Sequence, residues 1–325
     1  MSTPNDILKK FEFGDMKALA RVISIIENEN DGYEEILSSL KIKNVPVIGI
    51  TGPPGAGKST LINSILKKLT DKGKRIGVIA IDPTSPFNYG SLLGDRLRMS
   101  EHFTNENIFI RSLATRGSLG GLSAKTIEIV DVMRAFATSS SPLERRRGGE
   151  AAFDYLFIET VGVGQTEVEI AGLADTTVLV LAPGFGDEIQ TLKSGIMEIG
   201  DIFVINKSDQ AGAEGFAKNV EHLVQSKHLT PDPSPKGEGN KDSWTPPVLK
   251  VTAINNEGIE EIIKKIDEHG KVSEDSKKIF LLTEKAYRLI QQKRMKDVDK
   301  KKLEAKITEA LNGKEFNLYR FINLQ

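Results

Sequence analysis

The chain of 325 residues contains no cysteine. That absence excludes disulfide bonds and metal sites built on thiolates, and it is typical of a cytoplasmic protein, which is our expectation here. No apolar run approaches the roughly 20 residues that a membrane-spanning helix needs, and the first residues lack the apolar core of a signal peptide. We therefore expect no membrane partner.

The chain also lacks a large net charge of either sign, because its 44 Lys and Arg nearly balance its 45 Asp and Glu. The balance is uneven along the chain, since residues 271–325 hold 14 Lys and Arg against 8 Asp and Glu. A basic tail can attract nucleic acid, but it is more often the solvated surface of helices. We adopt the second interpretation and expect no nucleic-acid partner.

The most informative stretch is residues 52–59, which match the phosphate-binding pattern G-x-x-x-x-G-K-[ST] and are called the P-loop below. The P-loop lies between a predicted strand, 45–50, and a predicted helix whose apolar residues recur at helical spacing. In that geometry the backbone N–H groups surround a phosphate at a helix N-terminus. Lys58 is predicted to reach the β- and γ-phosphates and act in catalysis, and the Ser59 hydroxyl to take one position on Mg²⁺. The predicted nucleotide-binding residues here are Gly52, Pro53, Pro54, Gly55, Ala56, Gly57, Lys58, Ser59 and Thr60.

Acidic residues follow other predicted strands. Asp82 follows strand 75–81, Asp95 lies in a glycine-containing stretch, and Glu159 ends strand 153–159. A carboxylate at the carboxyl end of a parallel strand points into the ligand crevice, where it can bind Mg²⁺ directly or through water. Either aspartate is alternatively a helix cap.

Gly162 and Gln165, which follow Glu159 in the chain, are candidates for sensing the γ-phosphate and for catalysis. The Gly162 amide can sense the γ-phosphate, which would make this segment a switch that reorders on hydrolysis. Gln165 is close enough to orient the attacking water, although it is alternatively an ordinary helix-start residue.

A second sharp motif, N-K-x-D, follows the predicted strand 202–205 and consists of Asn206, Lys207 and Asp209. The Asp209 carboxylate can accept two hydrogen bonds from N1–H and N2–H₂ of guanine. Adenine has no such donor pair, so a buried acceptor would be left unpaired and ATP would be rejected. Thr252 and Ala253, after the predicted strand 247–251, form a second loop on the base side.

The alternation of strands and helices predicts an α/β fold of the P-loop NTPase kind, with a mostly parallel sheet covered by helices on both faces. We assign residues 1–44 to an N-terminal helical extension, 45–270 to the P-loop domain and 271–325 to a C-terminal helical arm. Within the extension, apolar spacing predicts helices at about 14–28 and 33–40. The arm either joins two copies into a homodimer or packs back onto the domain. Two Pro/Gly/Ser-rich insertions, about 139–150 and 230–243, are expected to be surface loops without function.

Residues 159–167, E-T-V-G-V-G-Q-T-E, closely resemble a segment of the MeaB/ArgK/MMAA-type P-loop GTPases, chaperones of the cobalamin-dependent methylmalonyl-CoA mutase. Further matches are I-D-P-T-S at 81–85, G-D-R-L-R-M at 94–99 and P-G-F-G-D-E-I-Q at 183–190. The resemblance covers about residues 14–269 and, more loosely, the C-terminal arm. The two insertions depart from the family, which has short turns there.

The resemblance implies a GTPase that binds GTP and GDP, whose Mg²⁺ is surrounded by Ser59, Asp82, Asp95 and Glu159. It also implies a third switch, 187–193, that orders when the mutase binds and brings Gln190 or Lys193 to the phosphates. Family members are homodimers that gate cofactor loading and protect the mutase.

Two other functions compete with this one. A P-loop small-molecule kinase or a transport-associated ATPase would use the same phosphate loop, but neither has a use for N-K-x-D. A nickel-enzyme metallochaperone would carry Cys- or His-rich metal motifs, whereas this chain has no cysteine and 4 scattered histidines.

Overall fold

A computed structural model describes residues 4–82, 99–114, 124–138, 150–160, 169–184, 195–228, 244–272, 275–295, 298 and 300–311. The chain divides into two compact units, Met1–Leu281 and Leu282–Gln325. The insertion predicted at 230–243 lies outside the described residues, and so does the one at 139–150 except for its last residue. No helix in the described part of the chain is long and apolar enough to cross a membrane.

The first unit is built on a seven-stranded sheet in which every recorded strand pair is parallel. The strands are β1 Val47–Thr51, β2 Ile76–Asp82, β3 Ile108–Ala114, β6 Tyr155–Glu159, β7 Thr176–Leu181, β8 Ile202–Ile205 and β9 Val248–Lys250. Their order in the sheet is β3-β2-β6-β1-β7-β8-β9, so the strand that leads into the P-loop is central. This confirms the predicted parallel α/β sheet.

Helices cover both faces of this sheet. β1, β7 and β8 are buried along their whole length, because a parallel sheet between two helical layers hides both faces of each central strand. Val178 and Val180 of β7 pack in one core cluster with helices α4 (Lys58–Asp71) and α7 (Ile259–Val272). The alternating residues Leu179 and Leu181 pack in a second cluster with α6 (Ala213–His228).

Three helices precede the sheet, as the predicted helical lead-in requires: α1 Pro4–Glu12, α2 Met16–Glu27 and α3 Tyr33–Ser39. Sequence spacing predicted α2 and α3 but not α1. The α2 N-terminus is capped by Asp15, whose Oδ1 accepts a hydrogen bond from the N–H of Ala18 at 2.8 Å. The Phe11 ring at the end of α1 contacts Phe136, with centroids 5.3 Å apart.

A short antiparallel ribbon frames the first insertion and was not predicted. Helix α5 (Ala124–Ala135) is followed by β4 (Ala137–Thr138), which pairs with β5 (Glu150–Ala151). The residues that flank the insertion, Thr138 and Glu150, are therefore held together by the ribbon.

Two helices follow α7. Helix α8 covers Asp275–Arg294 and α9 covers Lys300–Leu311, in agreement with the predicted helical arm. Several large apolar side chains of the second unit are exposed. They are Leu282, Tyr287, Ile290, Met295 and Val298.

Candidate functional site

The P-loop joins the carboxyl end of β1 to the first turn of α4 through left-handed glycines. Gly52 has a φ of +137°, and a Cβ there would lie 2.0 Å from the carbonyl oxygen of Val180. Gly57 has a φ of +88°, and a Cβ there would lie 2.3 Å from Nδ2 of Asn206. Only glycine combines this backbone conformation with such close neighbours, so both positions are fixed by the loop geometry.

The Lys58 ammonium is held inside this loop. Its Nζ donates to the carbonyl oxygens of Gly52 at 2.8 Å and Pro53 at 3.0 Å, and the residue is only 6% exposed. A buried cation thus lies beside the N-terminus of α4, where the helix dipole and free N–H groups also favour an anion. The arrangement is suited to a polyphosphate.

Ser59 and Glu159 are brought together from different elements. Ser59 Oγ donates to Oε1 of Glu159 at 2.6 Å. Glu159 ends β6, and the parallel register places it beside Ile50 of β1, one residue before the strand's end. A hydroxyl and a carboxylate at this distance form the start of an all-oxygen donor set, the kind that Mg²⁺ prefers.

The other predicted metal ligands are described incompletely. Asp82 ends β2, whose residue Ala80 pairs with Glu159, so its backbone lies at the same edge of the sheet. Its side chain and the whole of Asp95 lie outside the described residues. Among the side chains that are described, none form a group of three His, Cys, Asp or Glu able to hold a metal ion.

Asn206, the first residue of N-K-x-D, connects the base side of the site to the phosphate side. Its Nδ2 donates to the carbonyl oxygen of Ala56 in the P-loop at 2.9 Å, and its Oδ1 accepts from the N–H of Ala253 at 3.1 Å. Asn206 is 3% exposed, so these bonds are protected from water. The predicted phosphate loop, guanine motif and second base-side loop therefore meet at one side chain.

The next residues of the motif are more accessible than Asn206. Lys207 takes the left-handed conformation with a φ of +57°, which turns the chain sharply after β8. Asp209 is exposed, at the same carboxyl edge of the sheet as the P-loop. An accessible carboxylate in this place can receive donors from a bound base.

Hydroxyl groups that sequence reasoning missed tie these segments together. Ser64 Oγ donates to the carbonyl oxygen of Ala253 at 2.7 Å, and Ser208 Oγ lies 3.1 Å from Oγ1 of Thr252. Ser64 could have been recognised in the sequence because it is a polar residue on the apolar side of a predicted helix. Ser208 was the unspecified position of N-K-x-D.

A second pair of hydroxyl groups belongs to residues beside the P-loop and Glu159 in the chain. Thr160 Oγ1 donates to Oγ1 of Thr51 at 3.0 Å, and both residues are buried. This bond joins the residue before Gly52 to the residue after Glu159.

Several predicted site residues lie outside the described residues. They are Asp95, Gly162, Gln165, Gln190 and Lys193. Of the predicted set, the structure brings together the P-loop residues, Glu159, Asn206, Thr252 and Ala253.

Comparisons with known proteins agree with this geometry. A family model described as "Methylmalonyl Co-A mutase-associated GTPase MeaB" matches residues 19–311. A Pyrococcus abyssi protein named as a candidate GTPase is 44% identical over 276 residues, covering 84% of this chain and 78% of that protein. GTPase ArgK of Escherichia coli is 31% identical over 273 residues, covering 80% and 74%.

A mouse protein, the mitochondrial methylmalonic aciduria type A homolog, is 34% identical over 265 residues, which cover 77% of this chain and 59% of the mouse protein. Among solved structures, the crystal structure of LAO/AO transport system kinase aligns with a TM-score of 0.62, covering 97% of this chain and 89% of that chain. Its sequence identity is 22%, so this likeness supports the fold alone.

The family match spans the P-loop, Glu159 and N-K-x-D, the three features that the fold assembles at one sheet edge, and it confirms the resemblance read from the sequence. The chain is a P-loop GTPase and belongs to the MeaB family of methylmalonyl-CoA mutase-associated GTPases.

Proposed function

We propose that this GTPase hydrolyses GTP with Mg²⁺ and associates with a cobalamin-dependent acyl-CoA mutase of the methylmalonyl-CoA mutase type. Its nucleotide state would gate the loading of the mutase cofactor and protect the enzyme. The proposal is carried by one observation. The family match over residues 19–311 contains a site whose phosphate and base halves are joined through Asn206.

In the proposed reaction a water molecule adds to the γ-phosphorus of GTP, and the bond from that phosphorus to the β–γ bridging oxygen breaks. GDP and phosphate leave. Backbone N–H groups of residues 55–60 and the Lys58 ammonium stabilise the negative charge that develops on the phosphoryl oxygens. Gln165 is proposed to orient the water, and Gln190 or Lys193 to approach the phosphates when the partner binds.

The donors beside the P-loop fit Mg²⁺. Ser59 and Glu159 supply oxygens 2.6 Å apart, and we propose that Asp82 and Asp95 complete the surroundings of the ion. When bound, the ion would neutralise charge on the β- and γ-phosphates. Gly162 is proposed to donate its N–H to the γ-phosphate, which would link the switch segment to the nucleotide state.

Guanine selectivity is proposed to come from the exposed Asp209 carboxylate, with Lys207, Thr252 and Ala253 around the base. Asp209 is exposed rather than buried as the sequence argument assumed, so we propose that the bound base itself shields the carboxylate from water. Guanine offers this carboxylate the donor pair N1–H and N2–H₂, which adenine lacks, so an adenine nucleotide would cover the acceptor without pairing it. The competing kinase or transport-ATPase functions have no use for this carboxylate.

A homodimer is proposed through the C-terminal arm. Support comes from the exposed apolar side chains of the second unit, among them Leu282, Tyr287 and Ile290. Leu282 and Ile290 are eight positions apart and so lie on the same side of α8, and a contiguous exposed apolar surface is typical of a protein interface. Sedimentation analysis tests this. A double change, Leu282→Asp with Ile290→Asp, is expected to give monomers, and an unchanged mass would contradict the assignment.

The proposed function is tested by measuring GTP and ATP hydrolysis with and without purified methylmalonyl-CoA mutase in magnesium buffer. We expect GTP to be preferred, hydrolysis to stop when EDTA removes the metal ion, and the mutase to raise the GTP rate. Preference for ATP would overturn the guanine assignment. A GTP rate and affinity untouched by the mutase would remove the partner.

A further inference from the structure

The second base-side loop is a small turn that is closed on itself. Thr252 N–H donates to the carbonyl oxygen of Glu257 at 3.3 Å, and Glu257 N–H returns a bond to Thr252 at 3.2 Å. Asn256 completes the turn with a φ of +59°. Residues 254–258 are exposed, whereas Thr252 and Ala253 are only 2% exposed. The position of the whole turn is therefore set by the contacts of its first two residues.

Both peptide groups of Ala253 are bonded to side chains from elsewhere in the fold. The N–H donates to Oδ1 of Asn206, part of the guanine motif. The carbonyl oxygen accepts from Oγ of Ser64 at 2.7 Å, a bond between residues 189 positions apart. Ser64 lies on α4, the helix whose first turn carries Lys58 and Ser59. One side chain thus links the phosphate-binding helix to the base-side turn.

The hydroxyl of Ser64, in the middle of α4, bonds differently from the hydroxyl of Thr70, near the end of the same helix. Thr70 donates to the carbonyl oxygens of Leu66 and Lys67 in its own helix. The Ser64 hydroxyl points out of α4 and bonds to another element, although Ser64 is 7% exposed and lies among apolar neighbours. A buried hydroxyl is costly unless it is bonded, so this bond fixes the distance between helix and turn.

Hydrogen bonds connect the base-side turn to Ser208, the residue before Asp209. Oγ1 of Thr252 lies 3.1 Å from Oγ of Ser208, whose N–H also donates to the carbonyl oxygen of Val251 at 3.0 Å. Asp209 is the next residue along the chain. A shift of the turn away from α4 would therefore move Asp209, the carboxylate proposed to recognise the base.

We propose that Ser64 is a positioning residue for base recognition, which holds the base-side turn against the phosphate-binding helix and so aligns Asp209 with the purine. The inference rests on the proposed recognition of guanine by Asp209. Two donors of guanine must meet one carboxylate, so alignment affects the second hydrogen bond most. Inosine nucleotides, which lack the 2-amino group, make only the first bond.

The test compares the dissociation constants of GDP and IDP for the wild type and for Ser64→Ala in the full chain. We expect GDP to bind about tenfold more weakly to the variant, because a misaligned carboxylate weakens two hydrogen bonds to guanine, and IDP about threefold more weakly, because only one bond is affected. The preference for GDP over IDP thus falls about threefold. A purely structural role would weaken both nucleotides equally, and that outcome, or no weakening, overturns the proposal.

Thr70→Ala is the matched control, because it removes a hydroxyl from the same helix that bonds only within the helix. It is expected to leave both constants within about twofold of the wild type. If Ser64→Ala does not fold, Ser64→Thr and Ser64→Val replace it, since they have nearly the same shape and differ in the hydroxyl. Thr is then expected to keep the GDP preference and Val to lose it, and equal behaviour would contradict the role of the hydroxyl.

The wild-type protein separates this inference from the proposed function. Preference for ADP over GDP in the wild type would remove both together. Preference for GDP in the wild type, with an unchanged GDP-to-IDP ratio in Ser64→Ala, would remove only the role of Ser64.

Discussion

The two edges of the sheet use acidic residues in different ways. At the carboxyl edge, Glu159 follows the end of its strand's apolar run and contacts the P-loop serine, and Asp209 is exposed on the base side. At the amino edge, Asp154, Asp175 and Asp201 each come one residue before a strand. The same side-chain chemistry therefore occurs on both edges, but with different partners.

The amino-edge aspartates repeat one arrangement of hydrogen bonds. Asp175 donates its N–H to the carbonyl oxygen of Val47, and its Oδ2 accepts from the N–H of the same Val47, each at 2.8 Å. Asp154 makes the same pair of bonds with Arg75, and Asp201 makes it with Thr177. Each carboxylate thus extends the ladder between neighbouring strands by one bond beyond the last backbone pair.

Each of these carboxylates also meets a basic side chain. Asp154 pairs with Lys74 at 3.0 Å, Asp175 with Arg134, and Asp201 lies 3.3 Å from Nε2 of the buried His269. The partners are protein groups, so these acids anchor strands. The comparison teaches that an acid before a parallel strand is structural here, whereas the acids at the other ends of the strands lie at the edge where open α/β sheets bind ligands.

The largest difference between the two edges is expected when a lysine at each edge is replaced and GTP hydrolysis is measured. Lys58→Ala should lower kcat for GTP hydrolysis by at least about 100-fold, because the developing phosphoryl charge loses a preorganised cation. Lys74→Ala, the matched change at the amino edge, should leave kcat within about twofold. Steady-state hydrolysis of both variants provides the measurement, and near-normal turnover by Lys58→Ala would contradict the assignment of the P-loop.

The next effect concerns base selection. Asp209→Asn should weaken GTP binding by at least about 100-fold, because an amide cannot accept both guanine donors, and it should improve binding of the xanthosine nucleotide. Calorimetry with GTP, XTP and ATP measures this. Asp201→Asn makes the same substitution at the other edge and should leave GTP affinity within about twofold. Unchanged GTP affinity in Asp209→Asn would remove the guanine assignment.

The amino edge is expected to affect stability instead. Asp175→Ala leaves the N–H of Val47 and the Arg134 guanidinium without this acceptor, which should cost about 2 kcal/mol in the free energy of unfolding. Thermal and urea unfolding measure this loss. Asp175→Asn keeps an acceptor oxygen and should lose about half as much. A fall in kcat with unchanged stability would contradict the division between the edges.

The smallest expected effect is a pH dependence. Burial by itself raises the pKa of Asp154, but the N–H of Arg75 and the ammonium of Lys74 outweigh it and hold the pKa below the ordinary 3.8. Because the folded-state pKa is depressed, the stabilisation is present above pH 3.8 and is lost as the pH falls through the folded-state value.

The side chain is 34% exposed, so solvent screening limits this effect to about 0.5 kcal/mol. Unfolding of the wild type and of Asp154→Asn between pH 7 and pH 2.5 measures it. The difference between the two proteins should shrink below about pH 4, and a difference that grows on acidification would contradict the assigned cause.

Much of the fold was predictable because its signals are local. The strands predicted at 45–50, 75–81, 153–159, 202–205 and 247–251 are apolar runs bounded by turn residues. Their positions agree with the observed β1, β2, β6, β8 and β9. The ribbon of β4 and β5 was missed because two residues per strand carry no periodic pattern. Helix α1 was missed because it is short and contains several charged residues.

The candidate site was predictable where a motif fixes residue type and spacing, as in the P-loop and N-K-x-D. Asp175 and Asp201 could not be recognised as strand anchors, because an aspartate before a strand resembles an ordinary turn residue. Their roles depend on which strand lies alongside, and the order β3-β2-β6-β1-β7-β8-β9 is not encoded in any local spacing.

The amino-acid sequence by itself determined the phosphate-binding loop, the guanine motif, the parallel α/β architecture and the family. Only the tertiary structure decided which acids anchor strands, that Asn206 joins the phosphate and base halves, and that Ser64 contacts Ala253 across 189 positions. The physical reason is the range of the interactions. Motifs and periodicity are properties of one or two elements that are neighbours in the sequence. These hydrogen bonds instead join groups that are distant in the sequence and that meet only when the strands have assembled into the sheet.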